Sequence, residues 1–279
     1  MSDTTIIAIL LLTAVMHATW NAALKTGADR VLDMAAMRMS GIVFAAIVIP
    51  LAPMPAPQAW PFLLTSAVAH MFYYACLISS YQRGDLSQVY PIARGSAPLL
   101  VALGAYLTIN ETPSPIGLAG VIVISVGIIV AGTGAFRENL HAIGFALLTG
   151  LSIASYSLLG GLGVRESGTV LGYTAWLELF TCAPFIAFAL IRRRQSVVPY
   201  VSSNVAWRNL VLGFGGVFSY LIVLWATTLL PIATVTATRE TSAIFAALAG
   251  TILMKEPFAG RRIAAAGFVT LGITLLLLG

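Results

Sequence analysis

Charged side chains are scarce in this sequence: 10 acidic and 15 basic residues make up only 9% of its 279 positions. That is too little to cover a water-facing surface, which excludes a soluble globular domain. Cysteine is nearly absent. Cys76 and Cys182 stand far apart inside apolar stretches, with no Cys-x-x-Cys or Cys/His cluster; both read as core, and neither a disulfide framework nor a metal centre is expected. Catalytic motifs are missing as well, with no His-Glu-x-x-His, no Gly-x-Ser-x-Gly and no paired acids. The chain is therefore not expected to be an enzyme, and no catalytic residue, metal ligand or cofactor is assigned. A Gly-x-x-x-x-Gly-Lys-Ser/Thr loop is also lacking, so ATP is not its direct energy source.

Apolar residues, by contrast, make up 59% of the chain, with a mean hydropathy of +0.94. Runs of about 20 residues, each enough to cross a hydrocarbon core of about 30 Å, recur along the whole length. We expect ten: Thr5 to Leu24, Asp33 to Leu51, Trp60 to Tyr81, Ser87 to Ile109, Pro115 to Gly134, Leu140 to Gly160, Thr169 to Ile191, Trp207 to Thr228, Ile232 to Met254 and Arg262 to Leu278. The fold class is an all-α membrane protein of ten transmembrane helices, with the lipid bilayer as its solvent. Short turns such as Glu111-Thr112-Pro113-Ser114 leave no room for a soluble domain, so any chemistry sits between helices. The first apolar stretch has no basic residue before it and is long enough to span, which reads as a retained helix.

The formal charge of +5 does not point to nucleic acid, because the basic residues sort by membrane side. With an external N-terminus, Lys25, Arg30, Arg83, Arg137, Arg192, Arg193, Arg194, Arg208, Lys255, Arg261 and Arg262 fall on the cytoplasmic side, and Arg165 alone falls outside. The positive-inside rule then predicts both termini outside the cytoplasm, in a multi-pass protein of the inner (plasma) membrane.

The chain repeats itself. An offset of 145 superposes Arg94 on Arg239, Ala102 on Ala247, Leu103 on Leu248, Glu111 on Glu256, Ala119 on Ala264 and Gly127 on Gly272. An offset of 136 places Thr13, Ala18, Thr19, Trp20 and Asn21 over Thr149, Ala154, Ser155, Tyr156 and Ser157. Five helices per half, 1–136 and 137–279, force the halves into opposite senses, an inverted-topology repeat. Secondary transporters are built this way, with the substrate near the midplane where the halves meet. The stretches Tyr81-Gln-Arg-Gly-Asp-Leu-Ser-Gln-Val-Tyr-Pro91 through Leu107-Thr-Ile-Asn-Glu111, and Leu229-Leu-Pro-Ile-Ala-Thr234 through Leu253-Met-Lys-Glu256-Pro257, resemble the paired EamA repeats of the drug/metabolite transporter superfamily. In length and ten-helix plan the chain is most similar to the YddG-type amino-acid exporters. The resemblance implies a secondary exporter of amino acids, aromatic ones included, or of similar small metabolites, acting as a monomer or homodimer.

Candidate substrate residues are those that lipid does not favour. Arg94, Arg239, Glu178 and Glu240 lie well inside expected spans, where an ionisable group costs at least about 2.5 kcal/mol unless it faces a partner or water. The repeat sets the two arginines at opposite depths and makes Glu178 the expected partner of Arg239; Arg38, one turn into its helix, is expected to snorkel. Thr13, His17 and Asn21 share a helical face, with Trp20 beside them, and His70 and Tyr74 share another. Tyr90, Tyr156 and Trp176 complete the set. Pro91, Pro98 and Pro184 are candidate hinges, the glycines of the fifth and tenth spans are expected to pack backbones closely, and Glu111 and Glu256 to cap helix starts. A multidrug carrier of lipophilic cations is disfavoured, since neither the first span nor its counterpart carries an acid. A phosphate-ester or nucleotide-sugar carrier would need more than two midplane arginines.

Overall fold

The computed structural model describes residues 2–25, 29–83, 86–132, 140–245 and 260–278. These form eleven helices and no strand: α1 (Asp3–Lys25), α2 (Arg30–Val48), α3 (Trp60–Arg83), α4 (Leu86–Ile109), α5 (Pro115–Gly132), α6 (Leu140–Glu166), α7 (Val170–Arg192), α8 (Arg194–Val201), α9 (Asn204–Thr227), α10 (Ile232–Glu240) and α11 (Gly260–Leu278). Each apolar stretch singled out above falls on a helix, although residues 246–254 of the ninth lie outside the described residues. Among the described residues five segments are long and apolar enough to cross a membrane: Arg30–Val48, Pro91–Ile109, Ile143–Glu166, Val170–Arg192 and Asn204–Thr227. Leucine, valine and phenylalanine side chains stay exposed along them, among them Leu103, Leu107, Phe188 and Val211. Lipid, not water, is the solvent these faces suit.

The eleventh helix is α8, in the polar connection between α7 and α9. It buries no residue. Its Tyr200 hydroxyl donates to Asp33 Oδ1 at 2.7 Å, and Asn209 Nδ2 donates to the same oxygen at 2.6 Å, tying the start of α2 to α8 and α9. Burial above all, and then the bond to Asp33, push the Tyr200 phenol above its ordinary range, so it stays a donor.

Proline does not interrupt the helices. α4 runs unbroken through Pro91 and Pro98, and α7 through Pro184. The freed carbonyls are tolerated where neighbouring helices cover them. The interruption comes instead in α10, which ends at Glu240; after Thr241 the backbone is helical again over 242–245.

The two sequence repeats exchange their first helices. α1 packs on α9 and α10, and α2 on α9; in the same way α6 packs on α3 and α4, and α7 on α3. The two groups of four meet along α2 with α7 and α4 with α10, while α5 and α11 pair outside them. A side-chain atom added at Gly120 would meet the Gly272 carbonyl, and one at Gly127 the Ala265 carbonyl and Phe268. Shifting by 145 carries the first of these contacts onto the second, so α5 and α11 cross on the pseudo-two-fold axis, and glycine is what lets their backbones touch. Gly267 has open space instead, so close packing does not account for it.

Candidate functional site

All eight inner helices contribute to one cavity of about 60 Å³, lined by His17 of α1, Met34, Met37 and Arg38 of α2, His70 and Tyr73 of α3, Arg94 of α4, Tyr156 of α6, Glu178 and Thr181 of α7, Gly213, Gly216, Val217 and Tyr220 of α9, and Arg239 of α10. That is room for a few water molecules. Arg94, Arg239, Glu178, His17, His70 and Tyr156 were all legible in the sequence as candidates, and the fold gathers them in one place.

The charges pair differently from expectation. Arg94 Nη1 donates to Glu240 Oε2 at 2.8 Å, with both side chains buried. Arg94 lies 8 residues from the start of α4 and Glu240 8 from the start of α10, about 12 Å along each helix. α4 and α10 therefore cross at these residues, and the expected separation of the two arginines in depth shrinks to neighbouring levels. Arg94 Nη2 also lies 3.2 Å from His17 Nε2. A guanidinium has only donors, so His17 presents an unprotonated nitrogen.

No ion pair forms between Glu178 and Arg239. Glu178 accepts from Cys182 Sγ at 3.1 Å, and its carboxylate fits against α2 because Gly41 has no side chain: an added Cβ there would strike Glu178 Oε2 and Cys182 Sγ. Arg239 is 8% exposed, and its Nε has no hydrogen-bond partner among the described residues. Its guanidinium lies 5.3 Å from the Tyr220 ring centroid and 6.0 Å from that of Tyr156, a cation–π cradle. His70 stacks on Tyr156 at 3.9 Å and meets the edge of Tyr220 at 5.8 Å. Its Nδ1 is 2.9 Å from the Ser66 carbonyl, which fixes the proton on that nitrogen.

Arg38 was expected to snorkel out of the interior; it lines the cavity instead, its guanidinium 5.2 Å from the Tyr74 centroid. Tyr74 itself lies behind Arg38 and packs on Phe185 at 5.3 Å. Trp176 is outside the lining too, 5.3 Å from Trp60. The side chains of Trp20, Asn21 and Tyr90 lie outside the described residues, as does Glu256. Arg38 and Tyr220 carried a signal that sequence reasoning passed over. Met34, Met37, Arg38 and Gly41 recur at i, i+3, i+4 and i+7, and Gly213, Gly216 and Tyr220 at i, i+3 and i+7, each one helical face.

One end of the molecule is clasped across the repeats. Asn110 closes α4 in the left-handed conformation, φ 53°, and the Glu111 N–H returns to the Ala105 carbonyl, a turn that fixes Glu111. Glu111 Oε1 then accepts from the Ile232 N–H at 2.8 Å, and its Oε2 from Arg165 Nη1 at 2.6 Å. Arg165 also donates to the carbonyls of Thr227 and Leu230. Glu111 thus caps a helix start, as expected, but that of α10 in the opposite repeat.

A solved crystal structure superposes on this fold with a TM-score of 0.75, covering 99% of this chain and 98% of its own at 17% identity. No curated protein matches the sequence. The EamA-like transporter family matches twice, over residues 4–133 and 140–278, once for each half read from the internal repeat. The chain is therefore a membrane protein of the EamA-like transporter family, a small-molecule transporter.

Proposed function

We propose that this transporter exports amino acids or similar small metabolites, with the broad side-chain tolerance of a YddG-type carrier, by alternating access through ten transmembrane helices of the plasma membrane. The observation that carries the reading is Arg239, a buried guanidinium with an unpaired Nε in a cavity that also holds the Glu178 carboxylate. A zwitterion offers each of them its complement: a carboxylate for the planar donors of Arg239 and an ammonium for Glu178. Tyr156, Tyr220 and His70 form the walls, and apolar or aromatic walls discriminate side chains weakly, about 1–3 kcal/mol per methylene. A lipophilic cation would meet the three arginines of the lining, which speaks against the multidrug alternative. The test is counterflow in proteoliposomes of an amino acid against its amide and its N-acetyl derivative. We expect both blocked compounds to move at least about tenfold more slowly, since each leaves one buried charge unpaired. Equal rates remove the zwitterion reading.

The orientation follows from the sorting of basic residues, which sets both termini outside. A compartment-specific reporter fused at Gly279 is expected to be active only outside the cytoplasm. In that orientation the Glu111–Arg165 clasp is the external closure. Its bonds to the Ile232 N–H and to the Thr227 and Leu230 carbonyls join the two groups of four at that end. Opening outward separates these contacts. The protein acts as a monomer or homodimer.

Glu111→Gln removes the charge from the clasp, and Arg165→Gln does the same from the other side. Both variants are expected to fold, because the clasp is partly solvated at 26% and 20% exposure. They shift the population toward the outward-open state. A cysteine placed at Ala175, buried against Phe44 in the α2–α7 seam near the same end, in a cysteine-free background should then react faster with an external thiol reagent in the variants than in the parent. Unchanged labelling removes the clasp from the gate.

A further inference from the structure

The charge balance of the cavity narrows the cargo further, on the assumption that Arg239 and Glu178 are its poles. Among the described lining residues three are arginines and one is a glutamate. The second carboxylate at the site, Glu240, is fully buried and ion-paired to Arg94, so that pair is neutral as a unit. His17 turns an unprotonated nitrogen to Arg94, and His70 gives its proton to a carbonyl; neither adds a negative charge. Arg38 and Arg239 then stand against Glu178 alone. Arg38 makes no hydrogen bond or ion pair among the described residues, and its guanidinium lies over the Tyr74 ring. One positive charge is in surplus within the membrane interior, where an uncompensated charge is costly. Arg38, on the same α2 face as Met34, Met37 and Gly41, is the guanidinium beside Glu178, and it is left without a counter-charge once Glu178 takes an ammonium.

We propose that the cavity takes an amino acid bearing a second acidic group, with net charge −1: its ammonium at Glu178, one acidic group at Arg239 and the other at Arg38. A zwitterion satisfies Arg239 and Glu178 and leaves Arg38 unmatched. An acidic amino acid matches all three. The second group is a carboxylate or a phosphonate, since a guanidinium binds either through paired N–H donors.

Counterflow in proteoliposomes of glutamate, glutamine and the phosphonate analogue of glutamate tests this. The wild-type protein should move glutamate or its phosphonate analogue about 10- to 100-fold faster than glutamine, the range expected for one charged hydrogen-bonded contact. The faster of the two names the acidic group. Arg38→Gln should erase the preference while still moving glutamine, which also reports that it folds, and Arg38→Lys should keep part of it. Equal wild-type rates for glutamate and glutamine overturn the inference and leave the amino-acid reading standing, whatever the variants do. If no amino acid moves but succinate does, in an Arg38-dependent manner, the surplus-charge argument is upheld and the amino-acid reading fails. If no anion moves, both fail.

Discussion

Arg239→Ala is expected to lower transport by about 100-fold or more while leaving the protein folded. The loss follows from removing the donor of a desolvated charge-assisted contact, which is worth about 2–5 kcal/mol. Folding is spared because Arg239 has no carboxylate partner to abandon: its Nε is already unpaired, and what it gives up is the cation–π contact with Tyr220 and Tyr156, about 0.5–2 kcal/mol. Glu240, its neighbour in sequence, remains paired to Arg94. Arg239→Lys should recover little, because an ammonium on a flexible stem replaces neither the planar fork nor its stacking on two rings. The measurements are initial counterflow rate and thermal midpoint in detergent on the same preparations. A variant that folds and transports at the wild-type rate removes Arg239 from the mechanism; one that fails to fold shows that the cradle, not the cargo, is its purpose.

The all-helical membrane fold and six residues of the candidate site were legible because lipid makes the pattern simple. Among the described residues the apolar runs form helices, and the polar residues inside those runs had to turn inward. Pairing was not legible. Helix order along the chain does not say which helices touch, and the exchange of α1 and α2 with α6 and α7 between the groups is a property of the assembled bundle. Because α4 crosses α10, Glu240 pairs with Arg94, and Glu178 forms no ion pair with Arg239. Arg38 was misjudged for a related reason. A position one turn from a span end reads as able to reach water, but the faces of α3 and α7 cover it and turn its guanidinium over Tyr74. Glu111 was recognised as a helix cap, yet capping across the repeat needs the two ends to be near in space, and sequence spacing is silent on that.

The break in α10 links the clasp to the cavity. Ile232, held by Glu111 at one end of α10, is followed after two turns by Arg239 and Glu240 at the other. A short rigid segment of nine residues therefore connects the gate to the charged groups. Under the alternating access proposed above, release of Glu111 would free the N-terminus of that segment, and the turn at Thr241 is where it would pivot without unwinding a longer helix. Proline marked α4 and α7 as the hinges from sequence, whereas the interruption lies in a stretch with no proline, Thr-Arg-Glu-Thr-Ser at 238–242. A short segment between a clasp and a substrate charge is the discrete element that alternating access needs, because its two positions bias both ends at once.

The second large effect belongs to the Arg94–Glu240 pair, and here the sequence alone misleads, since Arg94 and Arg239 are equivalent by the repeat and so invite the same expectation. Arg94→Ala should destabilise by about 3–5 kcal/mol, the penalty for leaving Glu240 buried without its partner. Glu240→Ala should do the same by stranding Arg94, with His17 left to accept one of its donors. The double variant Arg94→Met with Glu240→Gln removes both charges and should recover much of that loss, because a buried pair is worth little over a well-packed neutral replacement. Thermal midpoint and monodispersity in detergent are the readouts, each preparation being compared with the wild type. Arg94→Ala at wild-type stability but without transport would mean that Arg94 releases Glu240 to take substrate, and would raise the number of guanidiniums open to cargo from two to three. The expected outcome, a large loss of stability rescued by the neutral double variant, keeps Arg94 as the fastener of α4 to α10 and leaves Arg239 and Arg38 as the charges the cargo meets.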